Sequence, residues 1–302
     1  MNSNAIDTPA DSAGPRVALA LAAVYLIWGS TYLGIRFALE GGFTPFLLGG
    51  IRFTVAGGLM FAFLRWRGMR MPTPAQWRNA AALGVLLMLL GNGMVNLAEQ
   101  SVSSGMAAVA VASAPLWMGV FSALRGEHPA RMEWVGLGIG FLGVLWLNAD
   151  SSLTASKTGM VALLVATLAW SFGSIWSRGR DLAPPAMNAA AQMLCGGIAM
   201  LATGLLLGER IHALPTPHAL GAFAYLVVFG SWFGFSAYIW LLHHVRPALA
   251  SSYAYVNPAI AVALGAWLAH ERFGAHELLA MGVILLGVVA ITVAKATKAK
   301  AR

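Results

Sequence analysis

The sequence predicts an all-α integral membrane protein: ten transmembrane helices in two five-helix repeats of opposite orientation. Three observations carry that prediction. The chain is 59% hydrophobic and only 10% charged, against about 25% charged residues in an average soluble domain. Its apolar residues fall into ten runs, each long enough to cross a bilayer. The second half of the sequence also echoes the first at a nearly constant offset.

A soluble chain of 302 residues must cover its exterior with polar groups, and 19 basic plus 11 acidic side chains are too few and too clustered for that. The mean hydropathy of +0.72 agrees. A net charge of +8 and a pI near 10.2 would suit nucleic acid. The basic residues, however, sit in the gaps between apolar runs, with no basic groove carrying interleaved aromatics. The expected partners are therefore the lipid bilayer and a small-molecule substrate, not nucleic acid. The single Cys195 lies in an apolar segment, which excludes a disulfide framework and a cysteine metal cluster. Residues 1–16, with Asp7, Pro9, Asp11 and Pro15, read as a short cytoplasmic tail rather than a signal peptide.

The elements follow in order. Arg16 precedes the first span, 17–37, and Arg36 closes it; the second is 45–64. Arg65, Arg67, Arg70 and Arg78 fill the gap before the third, 79–98, which is followed by the fourth, 104–124. Arg125 and Arg131 lead into the fifth, 133–149, and Lys157 into the sixth, 158–176. Arg178 and Arg180 precede the seventh, 187–208, and Arg210 the eighth, 218–242. Arg246 precedes the ninth, 248–269, Arg272 the tenth, 276–294, and a basic tail, 295–302, ends the chain. All-round hydrophobicity at these lengths means helices, because lipid leaves no partner for an open strand edge. With the N-terminus inside, 14 Lys and Arg fall on the cytoplasmic side and four outside, with Arg52 within a span. That bias puts both termini in the cytoplasm.

The repeats are 17–149 and 158–294. Glu133 to Gly143 aligns with Glu277 to Gly287, Glu127 with Glu271, Trp28 with Trp170, and Pro45…Gly57 with Pro185…Gly197. Five spans per unit is an odd number, so the second copy is inverted. Inverted repeats that bind substrate where they meet are a common transporter architecture.

Enzyme signatures are absent. Gly138, Gly140 and Gly143 match a dinucleotide-loop spacing, but they lie within an apolar helix without the strand before them that such a loop needs, so they read as helix packing. His270-Glu271 and His276 lack the four-residue spacing of a zinc pair. No ATP-binding motif occurs, and no cofactor or metal is expected.

Several residues belong to a candidate substrate cavity. Arg52 lies about eight residues, roughly 10 Å of rise, into its span. A cation there needs a cavity or a partner. Two readings stay open, an anchor for an anionic substrate group and a structural clamp; its repeat mate is the neutral Gln192. Asn92, Asn96 and Glu99 stand on one stripe of the third helix, their repeat counterparts being apolar, and Glu99 is the candidate for proton coupling. Trp28 and Tyr32 share a face of the first helix, with Trp170 in Trp28's place in the second repeat; both tryptophans lie too deep for an interfacial belt. Trp117, Tyr253 and Tyr255 flank the prolines Pro115 and Pro258, expected to break their helices at matching positions, with Ser113 and Asn257 beside them.

The motifs Trp28-Gly-Ser-Thr31, Ile51-Arg-Phe53, Ala114-Pro115, Gly126-Glu127 and the glycines of 136–143 resemble EamA-type members of the drug/metabolite transporter superfamily. Asn257-Pro258, His270-Glu271 and Gly282…Gly287 resemble that family's second repeat, so the resemblance runs from about residue 17 to 294. It implies a monomeric ten-helix bundle in the bacterial inner membrane, with cytoplasmic termini and a central cavity, exporting amino-acid-like metabolites or drugs. Members carry Arg in the Ile-Arg-Phe motif across substrates, which favours the clamp for Arg52. The alternatives are a phosphate- or nucleotide-sugar exchanger of the same superfamily, which would need several buried cations, and a non-transporting membrane scaffold.

Overall fold

The computed structural model describes residues 13–127, 156–245, 250 and 252–270, with isolated residues between 131 and 146 and between 274 and 290. Every regular element among them is a helix. Seven are long and apolar enough to cross a membrane: α1 (Ala13–Glu40), α2 (Pro45–Trp66), α3 (Pro74–Ala98), α4 (Ser104–Leu124), α5 (Lys157–Trp176), α6 (Pro185–Leu206) and α7 (Pro217–His244). The shorter α8 (Tyr253–Leu268) falls within the ninth expected span. Most of the fifth span, much of the tenth, the tail to residue 12 and the basic C-terminal tail lie outside the described residues. Leu19, Leu26, Leu59, Leu205 and Phe233 face outward in the open, an apolar exterior suited to lipid.

The helix ends obey local rules. Proline stands in the first turn of α2, α3, α6 and α7, where its missing N–H costs nothing. Thr73 and Gln76 form a capping box at the start of α3. The ends of α2 and α6 are alike. Gly68 and Gly208 take φ of 83° and 79°; Met69 N–H returns to Leu64 O at 3.0 Å and Glu209 N–H to Gly204 O at 2.8 Å. That is the left-handed C-cap that glycine adopts without strain.

The helices α2 and α6 pack along each other most extensively. Their repeat-related glycines make this possible: a Cβ on Gly57 would sit 2.6 Å from Leu194 N, and one on Gly197 2.5 Å from Thr54 N. Two features depart from the sequence expectation. The middles of α3 (Gly84–Gly93) and α7 (Leu226–Phe235) are π-helical, a wider coil than the α pattern assumed. Leu226 follows Gly84, and Phe235 follows Gly93, by the same 142 residues. The proline breaks are not matched either. At Pro115, α4 divides into Ser104–Val111 and Ala114–Leu124, with Ser113 Oγ donating to Ala110 O at 2.8 Å. Pro258 lies inside α8, which runs unbroken from Tyr253 to Leu268. Lacking an N–H, it leaves the carbonyl of residue 254 without its ladder bond, yet the helix does not divide there.

Candidate substrate cavity

The described helices line a narrow cavity with about 70 Å³ of free room for a solute, continuous with a wider mouth. Trp28, Thr31, Tyr32 and Ile35 of α1 line it, with Arg52 and Phe53 of α2 and Gly91, Asn92 and Val95 of α3. Ala166, Thr167 and Trp170 of α5 complete the wall, together with Gly230 and Phe235 of α7, Tyr253 and Asn257 of α8, and Val111 of α4. Both halves of the chain therefore contribute.

Its floor is aromatic. Trp28 meets Tyr253 edge to face at 4.9 Å between centroids and Trp170 at 5.5 Å, and lies 5.0 Å from Tyr238. Tyr238 and Tyr253 cross at 88° and 5.5 Å. Edge-to-face contacts of this kind add about 0.5–1.5 kcal/mol each beyond burial. The Trp28 indole N–H donates to Gly230 O at 3.1 Å, which fixes the ring against α7.

One end of the cavity is closed by hydrogen bonds. On α1 the lining runs from Trp28 toward the C-terminus; on antiparallel α5 it runs from Trp170 toward the N-terminus. Beyond the floor, Tyr25 Oη and Ser252 Oγ are 2.6 Å apart, and Ser174 Oγ and Tyr238 Oη 2.9 Å apart. These pairs tie α1 to the start of α8 and α5 to α7. Below them Val24, Leu83, Leu87, Leu241 and Ala250 belong to one buried apolar cluster.

Arg52 is 3% exposed. Its Nε donates to Ser231 Oγ at 2.8 Å, and its guanidinium lies 4.6 Å from the centre of the Phe53 ring. Ser231 Oγ donates onward to Leu226 O at 3.1 Å, across the widened turn of α7. No carboxylate pairs with Arg52 among the described residues. The absent side chain of Gly230 leaves room for it, since a Cβ there would stand 2.6 Å from Arg52 Nη2.

The structure thus brings together Trp28, Tyr32, Arg52, Asn92, Trp170, Tyr253 and Asn257. Asn92 Nδ2 donates to Leu87 O at 3.1 Å, five residues back along the π coil. With its amide turned to donate, Asn257 Nδ2 reaches Tyr25 O at 3.2 Å and Tyr253 O at 3.0 Å. Asn96 and Trp117 lie elsewhere. Asn96 is 1% exposed and its Nδ2 donates to Pro45 O at 2.9 Å, holding α3 to the start of α2. Widened turns just before it have rotated it off the Asn92 face. Trp117 is half-buried on the second segment of α4, outside the lining. Glu99 is buried at the end of α3 and does not line the cavity. The side chain of Tyr255 is outside the described residues.

Sequence reasoning missed Thr31, Thr167, Gly230, Ser231 and Tyr238. Tyr238 carried a usable signal: a mid-span tyrosine must find its hydroxyl a partner in lipid. Ser231 carried little, because only the π turn brings it to Arg52.

Span-length apolar helices around a central cavity, with polar groups inward and apolar ones outward, define a multi-pass membrane protein built for passage of a solute. Comparison with known proteins agrees. The chain belongs to the EamA-like transporter family, whose model matches it twice, at residues 15–149 and 157–293. The family, part of the drug/metabolite transporter superfamily, consists of membrane transporters rather than enzymes. The chain is 43% identical over 277 residues to the "uncharacterized inner membrane transporter YedA" of Escherichia coli, covering 91% of this chain and 90% of that protein. It is 27% identical to the "uncharacterized transporter YdfC" of Bacillus subtilis, covering 90% and 89%. A solved crystal structure matches with a TM-score of 0.69 at 19% identity, over 92% of this chain and 98% of the other.

Proposed function

We propose that the protein is a secondary transporter of the bacterial inner membrane that exports a small organic solute from the cytoplasm by alternating access. Ten spans, in two inverted repeats with both termini cytoplasmic, rock around the cavity where the repeats meet. The observation that carries this reading is the cavity itself: formed by both halves, floored by aromatic rings and closed by hydrogen bonds at one end. The positive-inside distribution makes that closed end the cytoplasmic one, so this conformation opens outward. Trp28, Trp170 and Tyr253 contact the solute's apolar body, and Asn92, Thr31 and Thr167 offer hydrogen bonds. The monomer suffices, because one chain completes the cavity. Glu99 and Arg52 are the two buried charged side chains among the described residues, so proton coupling is assigned to Glu99.

The test is flux through purified protein in liposomes, over amino acids, aromatic acids, amines and neutral metabolites, with and without a pH gradient. Saturable flux is expected, lost at least tenfold in Trp28→Ala while the protein still melts cooperatively. Glu99→Gln is expected to abolish the response to the pH gradient. Folded, oriented protein that moves no compound on the panel would overturn the proposal.

A further inference from the structure

We infer that the solute is a monoanion, a carboxylate on an apolar or aromatic body, and that Arg52 is the group that binds its charge. The inference rests on the transport reading and deepens it. A guanidinium carries five N–H donors and stays charged in a protein. A purely structural clamp would use them on protein acceptors, yet Arg52 commits only Nε, to Ser231. Its η nitrogens donate to nothing among the described residues, while the residue lines the cavity. A buried cation left without a counter-charge is costly, and an anion entering the cavity supplies one. The planar fork suits a carboxylate held by two parallel hydrogen bonds.

The rest of the lining narrows the class. It contains no Asp or Glu, so no wall neutralises Arg52 and none offers a partner to an ammonium group. The rings give little shelter to a cation, because Trp28, Trp170, Tyr238 and Tyr253 are packed on one another, three pairs edge to face and two tilted. A solute with two or more negative charges, such as a phosphorylated sugar, would meet a single cation. Apolar walls from Phe53, Val95, Val111, Ala166 and Phe235 then select a body that prefers to leave water. Gly230 completes the case: its missing side chain keeps open the space that the guanidinium occupies at the cavity wall.

The experiment compares matched acids, primary amides and amines bearing phenyl, indolyl and hexyl bodies. Binding is read from tryptophan fluorescence of the purified full chain, and flux from liposomes. The expected result is that the acids bind at least tenfold more tightly than their amides and that the amines bind weakest. Arg52→Gln is expected to erase the acid-over-amide ratio, and Arg52→Lys to keep part of it. Gln is the residue at the equivalent place in the second repeat, Gln192, where it is accommodated fully buried. Should Arg52→Gln fail to fold, the wild-type ratio alone decides, since it needs no variant. Amides bound as well as acids, or amines preferred, would overturn the inference while leaving transport standing, provided those compounds move. No binding and no flux for any class would overturn both readings together.

Discussion

Gly230 joins two parts of the site: its carbonyl holds the Trp28 indole, and its bare α-carbon admits Arg52. Gly230→Ala places a methyl 2.6 Å from Arg52 Nη2 and 3.0 Å from Thr31 Cγ2. Overpacking of this kind costs about 1–3 kcal/mol, and here the guanidinium is the part that must move. The expected outcome is a loss of transport of tenfold or more with only a modest fall in melting temperature, measured on the same preparation. At this scale the sequence was partly legible. Trp28, Trp170 and Arg52 were readable because a large or charged side chain deep in a span must have a reason to be there. Gly230 and Ser231 were not, since a glycine and a serine in an apolar run are unremarkable until the fold sets them against Arg52. Asn96 shows the opposite failure: polar and deep, it serves Pro45 O rather than the cavity.

Among the elements, apolar length sufficed to place the seven span-length helices among the described residues, while their interiors and ends depended on partners distant in sequence. The start of α2 is an example. The Glu209 carboxylate accepts the amide of Phe46 at 3.0 Å and that of Leu47 at 2.9 Å, from the turn after α6. A carboxylate at a helix N-terminus meets its unpaired N–H groups and the positive end of its dipole. Glu209→Gln should lower stability by about 1 kcal/mol, with the deficit shrinking at high salt as exposed charge is screened. Thermal unfolding at two ionic strengths checks both parts. No pattern near Glu209 announces this role, because Phe46 lies 163 residues away. The π segments were equally hidden: glycines mark both, but glycine is common throughout the chain. Pro115 and Pro258 looked equivalent in sequence, yet α4 divides just before the first, which opens a new segment at Ala114, while α8 runs through the second.

For the whole molecule, the joint between the halves is the seam of α2 and α6, and close backbone approach defines it. Gly57→Ala inserts a Cβ 2.6 Å from Leu194 N and 2.9 Å from Ala190 O, neither of which is a flexible side-chain end. A loss of about 1–3 kcal/mol is expected. The neighbouring Gly58→Ala, which meets nothing within 4 Å, should be neutral or stabilising through helix propensity. Parallel melting curves of the two variants separate the seam from a general effect of replacing glycine. This level was the most legible of all, since the constant offset between Pro45…Gly57 and Pro185…Gly197 is enough to pair the two helices as repeat mates. Which faces met was not legible, because that depends on where the backbones come within contact distance.

The paired π coils bear on the history of the chain. A π turn is an α-helix holding one residue too many, and such an addition throws every later side chain out of step. Two of them arising separately, each at the same distance from its own domain's start, would require the same accident twice. A widened segment already present in a five-helix ancestor, copied when the gene doubled, accounts for both. The wide turns beside the cavity are on that account older than the second half of the protein.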